Sequence, residues 1–549
     1  MNTIIVASIR NLPLTDKVLW LVMIALTSVL MILVSRKMFQ ILQLSSYRAR
    51  GMINWLKITR FDYQIRYFAL AFLSAIATYV YVACFYGYKS VRYLGFLIFV
   101  LFAILFVVLT RREKEKVPVK YTARMIRLNA LTFIIYFALG LCMWLIAHAF
   151  DGMMYAPQYA LLALMPIFAP WVVMLAHYMI LPLETLNNYT YKVRAKNRLS
   201  SMPEMIRIGI TGSYGKTTAK VMLAKMLEKK YRVSYSQKSY NTPMGICKVI
   251  NNFLPDDAQV FIAEMGARYV GDIAELAKIV EPNYGLITAI GNQHLETFGS
   301  IENIMDTKYE LIENLTLGGL ALFNGDSERT RALYDKASGM KVITGAEGTE
   351  GANIFYKNVE QDDEGVNFTL CLAGGEYVVR TKLLGRHVPS LMTLCAALAF
   401  ELGVSAEDIV SVCESMEPVP HRLELIKNGE NMIIIDDAYN ANVEGAQNAL
   451  NALSGFVESK KAIITPGLVE LGKEEKQANI DLGAQIGEVC DIAMLIGERA
   501  PFLKEGALSA GMSEENIHIC ASLDEAVAKL RTVEGRVAVL FENDLPDNF

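Results

Sequence analysis

The run Ile208-Gly209-Ile210-Thr211-Gly212-Ser213-Tyr214-Gly215-Lys216-Thr217-Thr218 decides the fold of this chain. Its first residues form a strand pattern, rich in β-branched side chains, that stops at a glycine turn. The continuation, Ala219-Lys220-Val221-Met222-Leu223-Ala224-Lys225-Met226-Leu227, has helical periodicity. Strand, Gly-rich loop and helix start, in that order, build a phosphate cradle. The glycines let backbone N–H groups converge on oxygens, and the helix N-terminus adds partial positive charge. Gly212, Ser213, Tyr214 and Gly215 form the loop, with Lys216, Thr217 and Thr218 at the helix start. Lys216 is placed to reach the β- and γ-phosphates, and the Thr217 hydroxyl to hold Mg2+. Ile210 stands where the first glycine of Gly-x-x-x-x-Gly-Lys-[Ser/Thr] usually lies, so the shorter Gly-x-x-Gly-Lys-Thr-Thr form remains. A plain strand–turn–helix with a chance lysine is the alternative; the strand before and the helix after favour the cradle.

Upstream of the cradle the composition changes. The 549 residues are too many for one core. Hydrophobic residues make up 53%, and the excess is concentrated at the N-terminus. Five apolar runs, about 18–35, 67–86, 93–110, 130–150 and 159–181, are long enough to cross a bilayer, which takes roughly twenty residues. The first is not a cleaved signal peptide: it starts late, lacks a small-residue cleavage site and is followed by four more runs.

The basic residues fall into three groups. Arg36, Lys37, Arg48, Arg50, Lys57, Arg60 and Arg66 follow the first run; Arg111, Arg112, Lys114, Lys116, Lys120, Arg124 and Arg127 follow the third; Lys192, Arg194, Lys196 and Arg198 follow the fifth. The other loops hold Lys89 and Arg92, or no basic residue. The positive-inside rule then puts the N-terminus outside and everything after residue 181 in the cytoplasm, where ATP and Mg2+ are. The expected location is a plasma membrane, crossed several times. The runs hold almost no ionisable residues, His148 and His177 lying near their ends, which favours an anchor or lipid-facing platform over a transporter. Pro166 and Pro170 predict a kink in the fifth run. A formal net charge of −3 argues against nucleic-acid binding. The eight cysteines show no C-x-x-C spacing and read as free thiols in a reducing compartment.

Downstream of the cradle, short strands alternate with amphipathic helices, as in a parallel α/β sheet. Gln259-Val260-Phe261-Ile262-Ala263 is a buried-strand run that ends at Glu264-Met265-Gly266-Ala267. An acidic residue at that strand end, one unit after a phosphate loop, is where a Mg2+ carboxylate belongs; an ordinary strand-end glutamate is the alternative. The next strand leads into Gly291-Asn292-Gln293-His294-Leu295-Glu296-Thr297-Phe298-Gly299-Ser300, and a helix carries Lys308. In isolation His294 reads as a loop histidine and Lys308 as a solvated helix residue.

TGSYGKTT, EMGA, NQHLETFGS and TKYELIENL, in that order and spacing, resemble the ATPase domain of the Mur ligases, and within them the D-alanyl-D-alanine-adding branch. The resemblance implies ATP hydrolysis coupled to amide-bond formation through an acyl-phosphate. It assigns Lys216 and Thr217 to phosphate and a first Mg2+, Glu264 to the same ion, and His294 to a second. Lys308 matches a lysine that is carbamylated in several members; a carbamate supplies a carboxylate where an ammonium repels a metal. Asn324, in Leu322-Phe323-Asn324-Gly325-Asp326, resembles the adenine-side asparagine. Arg422, in Pro418-Val419-Pro420-His421-Arg422-Leu423-Glu424, matches the arginine near the phosphates at the hinge into the last domain. Asp436-Asp437-Ala438-Tyr439-Asn440-Ala441-Asn442 resembles the DDSYNANP signature, with Asp437 placed for the ribose. Two departures stand out. Gly385-Arg386-His387-Val388-Pro389-Ser390 ends in serine where Gly-x-His-x-x-Asn has asparagine, leaving His387 a weak nucleotide candidate. The stretch 539–548 departs from the usual KGSR-type ending.

The expected architecture is an α-helical membrane domain of five spans (1–200), a P-loop ATPase-type parallel-sheet domain (201–420) and a C-terminal Rossmann-like domain (421–549). The family's UDP-gripping N-terminal domain has no counterpart in this sequence. The expected function is a membrane-anchored, ATP-dependent peptide (amide) ligase of peptidoglycan precursor synthesis, using ATP, two Mg2+ ions and a carbamylated Lys308. Its partners would be a muramoyl-peptide or lipid-linked acceptor, an amino acid or dipeptide donor, and membrane lipids, with no nucleic acid. The alternatives are a polymerising ligase like poly-γ-glutamate synthase, which the DDAYNAN string argues against, and a non-catalytic scaffold derived from a ligase, which intact Lys216, Glu264, His294 and Lys308 argue against. An ATP-driven transporter is disfavoured by uncharged spans and the absence of an LSGGQ signature.

Overall fold

The computed structural model describes residues 13–45, 47–58, 62–85, 88, 94–111, 118–151, 155–237, 240–427, 431–438 and 442–543. The chain divides into two units, residues 1–188 and 189–546.

Helices alone make up the described part of the first unit. Four stretches are long and apolar enough to cross a membrane: Leu14–Val34, Gln64–Cys84, Ala123–Ala147 and Ala156–Ser200. The third apolar run lies in a shorter apolar helix, Leu94–Leu109. Many large apolar side chains on these helices point outward, among them Leu73, Ile76, Leu101 and Leu105. Inside, Trp20 packs on Tyr159 with ring centroids 4.7 Å apart and on Trp144 at 6.1 Å. The last stretch is interrupted by a 3-10 turn at Met165–Phe168 that carries Pro166, where a kink was expected. At the other end of this unit Glu184, 2% exposed, takes a two-pronged bond from Arg127 at 2.7 and 2.9 Å. Arg60, Lys89, Arg92, Arg112, Lys114 and Lys116 lie outside the described residues.

In the second unit the described strands form two sheets. The larger contains β1 (Ile206–Thr211), β2 (Val233–Tyr235), β3 (Val260–Glu264), β4 (Tyr284–Ile287), β5 (Leu320–Asn324), β6 (Met340–Ala346), β7 (Ile354–Gln361), β8 (Val366–Leu372) and β9 (Gly375–Thr381). Their order is β2-β3-β1-β4-β5-β6-β7-β8-β9, parallel as far as β7 and antiparallel through the β7–β9 meander. Alternate strand residues face opposite ways. Ile208, Ile210, Val260 and Ile262 join the core beneath helices Lys216–Leu227 and Val388–Glu401. Phe261 and Ala263 face helices Pro243–Asn252 and Asp272–Val280. Both faces are covered, and this is why β1 and β3 read as continuous apolar runs.

The smaller sheet contains β10 (Glu424–Lys427), β11 (Met432–Asp437), β12 (Lys460–Thr465), β13 (Ile492–Ile496), β14 (Ile517–Cys520) and β15 (Val537–Glu542). Their order is β10-β11-β15-β12-β13-β14, with β10 antiparallel and the rest parallel.

Residues 189–200 close the helix Ala169–Ser200 and belong to the second unit. Ala195 and Leu199 are buried in the core of helices Pro243–Asn252 and Asp272–Val280. The basic residues there have protein partners: Lys192 pairs with Glu275, Lys196 with Glu281 at 3.4 Å, and Arg198 with Asp256 at 2.7 Å. Three of the four charges that the sequence assigns to a membrane-flanking segment therefore face carboxylates of the same unit. All eight cysteines are free; Cys84 and Cys142 are exposed and the other six are buried.

Candidate nucleotide and metal site

β1 ends at Thr211, and the chain turns through Gly212 at φ +151°. A Cβ at Gly212 would lie 2.1 Å from Thr288 Oγ1, so no side chain fits there. Gly215, at φ +77°, starts helix Lys216–Leu227 in the left-handed conformation that glycine adopts freely. The loop is stapled to the segment after β4. Ser213 N–H donates to Ala289 O at 2.7 Å, Ser213 Oγ to Gly291 O at 3.0 Å, and Thr288 Oγ1 to Tyr214 O at 2.5 Å. Burial pushes the Tyr214 phenol up to about 12, with the Glu444 charge adding to it. Lys216 curls back over this loop, donating to Gly212 O at 2.6 Å and Ser213 O at 2.9 Å. Burial lowers its ammonium to about 8, Glu264 opposing and the Arg422 charge reinforcing the fall. Thr217 and Thr218 occupy the first turn of the helix.

Glu264 ends β3 and is 3% exposed. Its Oε2 accepts from Thr217 Oγ1 at 3.1 Å and from Lys220 Nζ at 2.8 Å, and its Oε1 accepts from Asn241 Nδ2 at 3.1 Å. Burial alone would raise this carboxyl. The charge and hydrogen bond of Lys220, with Lys216 and Asn241, hold it below the usual carboxylate range. A threonine hydroxyl and an ionised carboxylate 3.1 Å apart are the hard oxygen donors that suit Mg2+.

His294 has φ +54°, a left-handed conformation uncommon outside glycine, and caps the short helix Leu295–Phe298. Its Nδ1 is hydrogen-bonded to Glu470 Oε2, and Arg268 lies 3.7 Å from the other oxygen of that carboxylate. Burial lowers the imidazole pKa, with Glu470 pulling the other way. A neutral ring that gives one nitrogen to a carboxylate keeps the other for a metal. The sequence reading missed Glu470. Lys308, on helix Ile301–Glu313, is 2% exposed, and burial together with the Lys216 charge pushes its amine down to about 7. An ammonium does not suit a cation site; a carbamate at the same place supplies oxygens.

Arg422 lies in a hinge whose flanking residues, His421 at φ +60° and Leu423 at φ +47°, are both left-handed. The paired aspartates hold it: Asp436 Oδ2 meets His421 Nδ1 at 2.7 Å, and Asp437 Oδ1 accepts from Leu423 N–H at 3.3 Å. Burial raises the Asp437 carboxyl to about 6, Arg422 opposing. Glu542 sits opposite Asp437 in the β11–β15 register, 1% exposed, and neither of its oxygens has a hydrogen bond from another of the described residues. Burial drives its pKa upward, with the Asp437 charge adding to it. Tyr439, Asn440 and Ala441 of the signature, and residues 544–548 of the atypical ending, lie outside the described residues.

Asn324 ends β5, buried, and its Oδ1 accepts from Ser390 Oγ at 2.9 Å and Asp326 N–H at 3.1 Å. The serine that breaks the expected motif thus meets the very asparagine singled out for adenine. His387 caps helix Val388–Glu401 with its Nδ1 buried and without a hydrogen-bond partner, and burial lowers its pKa to about 4.

The two sheets meet beside the loop. Glu444 accepts from Asn292 N–H at 3.2 Å and lies 3.7 Å from Arg329. A narrow cleft is lined by residues 292–294 on one side and by Asn442 and residues 468–471 on the other. Lys216, Thr217, Glu264, Lys308 and Arg422 are thus gathered around one loop, with His294 at the edge of the cleft. Asn324 meets Ser390, whose neighbour Leu391 packs against Gly215 of the loop.

Residues 210–399 match the Mur ligase middle domain, and residues 421–542 match the Mur ligase glutamate ligase domain. The chain carries both Mur ligase domains. It is 32% identical over 306 residues to the UDP-N-acetylmuramoyl-tripeptide–D-alanyl-D-alanine ligase of Bacillus subtilis, covering 55% of this chain and 65% of that relative. It is 27% identical over 276 residues to the Escherichia coli enzyme of the same name, covering 50% and 61%. Among solved structures it resembles MurF from Acinetobacter baumannii, with TM-score 0.60, 27% identity, and coverage of 65% of this chain and 77% of that one. Thermotoga maritima MurF, solved with ADP, gives TM-score 0.58, 25% identity, and coverage of 65% and 80%. The Mur ligase match therefore spans under two thirds of the length of these curated relatives.

Proposed function

We propose that this chain is a membrane-anchored, ATP-dependent amide ligase that adds D-alanyl-D-alanine to a muramoyl tripeptide. One observation supports the reading: Lys216, Thr217 and Glu264 cluster at one glycine turn and helix start, with Lys308 close enough to feel the Lys216 charge and His294 on the neighbouring cleft, in a chain whose relatives are named for that reaction. In the proposed first step an acceptor carboxylate oxygen attacks the γ-phosphorus of ATP, giving an acyl-phosphate and ADP. The dipeptide amine then attacks the acyl carbon, and inorganic phosphate leaves as the amide forms. Lys216 and Arg422 face the charge that develops on the transferring phosphoryl group. Two Mg2+ ions, one at Thr217 and Glu264 and one at His294 and a carbamylated Lys308, would neutralise phosphate oxygens. Asn324 would meet the adenine and Asp437 the ribose.

The proposed domains are 1–200, 201–420 and 421–549. The first would cross a plasma membrane five times, N-terminus outside, leaving the ligase domains in the cytoplasm among membrane lipids. An enzyme anchored in a membrane is suited to a lipid-linked as well as a UDP-linked acceptor. Full-length protein in detergent should release ADP only when muramoyl tripeptide and D-alanyl-D-alanine are both present. Lys216→Ala should lower that rate at least about 100-fold. No turnover with any muramoyl acceptor, UDP-linked or lipid-linked, would sink the proposal.

A further inference from the structure

Lys220 lies one helical turn beyond Lys216, on the same face of helix Lys216–Leu227. It is only 2% exposed, and it is among the largest fully buried side chains described in the protein. A lysine at this depth is kept charged only when it is paired. Its Nζ lies 2.8 Å from Glu264 Oε2, the oxygen that also accepts from Thr217. On the other side Asn241 holds Oε1, and Ser236 Oγ accepts the Glu264 backbone N–H at 3.1 Å. The carboxylate is therefore gripped from three directions, and Lys220 supplies a fixed opposite charge in direct contact with it.

We propose that Lys220 is a positioning residue for the first Mg2+: it balances the buried Glu264 charge and fixes that carboxylate beside the Thr217 hydroxyl. The proposal rests on the reading of Thr217 and Glu264 as ligands of that ion. Lys220 is directed to Glu264, whereas Lys216, one turn earlier, covers the loop carbonyls. The two lysines thus divide the work, the first for the nucleotide and the second for the metal carboxylate. Neighbours that orient a ligand shift metal affinity by about 10- to 100-fold when removed.

The test is binding of a fluorescent ADP analogue to full-length protein in detergent, with and without Mg2+, for wild type, Lys220→Met and Lys220→Arg. Lys220→Met keeps the side-chain bulk and drops the charge. Metal-free binding should stay within about twofold, because the cradle is intact, while the tightening given by Mg2+ falls about tenfold. The Mg2+ needed for half-maximal ADP release should rise in parallel, and Lys220→Arg should recover most of the loss. In a Glu264→Gln background Lys220→Met should add nothing, since the lysine acts through that carboxylate. Lys220→Gln, which keeps a donor but no charge, takes the place of Lys220→Met if methionine does not fold. An unchanged Mg2+ effect in the uncharged variants would overturn the proposal, as would equal loss of binding with and without Mg2+. Wild-type protein whose nucleotide binding ignores Mg2+ would instead sink the metal reading on which the proposal rests.

Discussion

Glu264 and His294 are both candidate metal ligands, and they are held in different ways. Glu264 stands at the end of a central strand; its partners Thr217 and Lys220 lie on the covering helix Lys216–Leu227, and Asn241 lies in the segment just before helix Pro243–Asn252 of the same sheet. His294 stands on a loop with a left-handed backbone, and its partner Glu470 comes from the other sheet, 176 residues away. Glu444 ties the same loop to the second sheet through Asn292. The first corner is complete within one folding unit, whereas the second exists only while two sheets meet.

Substitutions at four positions separate the two corners. The largest effect should come from Glu264→Ala, which strands the buried Lys220 charge. It should lower stability by about 3–5 kcal/mol in a urea titration, whereas no such loss is expected for Glu470→Ala. Lys308 comes next. Its amine titrates near 7 in the folded protein, below the ordinary lysine value, so between the two values the unfolded chain holds the extra proton. Stability should therefore rise with pH above 7 by up to about 1.4 kcal/mol per pH unit and be flat below. Lys308→Met should lose that slope in carbon-dioxide-free buffer. Glu470→Gln should slow ADP release about tenfold, the scale on which the orienting partners of metal ligands act, while metal-free nucleotide binding stays unchanged. Arg329→Ala should cost less than about 1 kcal/mol, because its pair with Glu444 is long and partly exposed. Equal effects at Glu264 and Glu470 on both stability and turnover would erase the distinction.

The same contrast explains what the sequence disclosed. The strand, glycine turn and helix around residues 206–227 were legible because they are consecutive, and only glycine fits against Thr288. Lys220 was not: its place in the helix looks like that of any surface lysine until Glu264 is brought beneath it. Glu470 was hidden by sequence distance. Lys192, Lys196 and Arg198 gave a membrane-flanking charge signal, and their pairing with Glu275, Glu281 and Asp256 needed the tertiary fold. Asn324 and Ser390 were each noted, but the bond between them joins residues 66 apart.

The distribution of thiols has a practical consequence. Reagents such as maleimides attack a reachable thiolate, and six of the eight sulfurs are shut inside the second unit. Cys84 ends the helix Asp62–Cys84, and Cys142 lies mid-way along an apolar helix that lipid would shield. The unmodified protein thus carries a built-in reporter of sidedness. An N-terminus-out arrangement puts Cys84 at the outer surface, where a membrane-impermeant maleimide should tag it in intact cells. Tagging that appears only after the cells are opened would reverse the orientation and place the ligase domains on the opposite side.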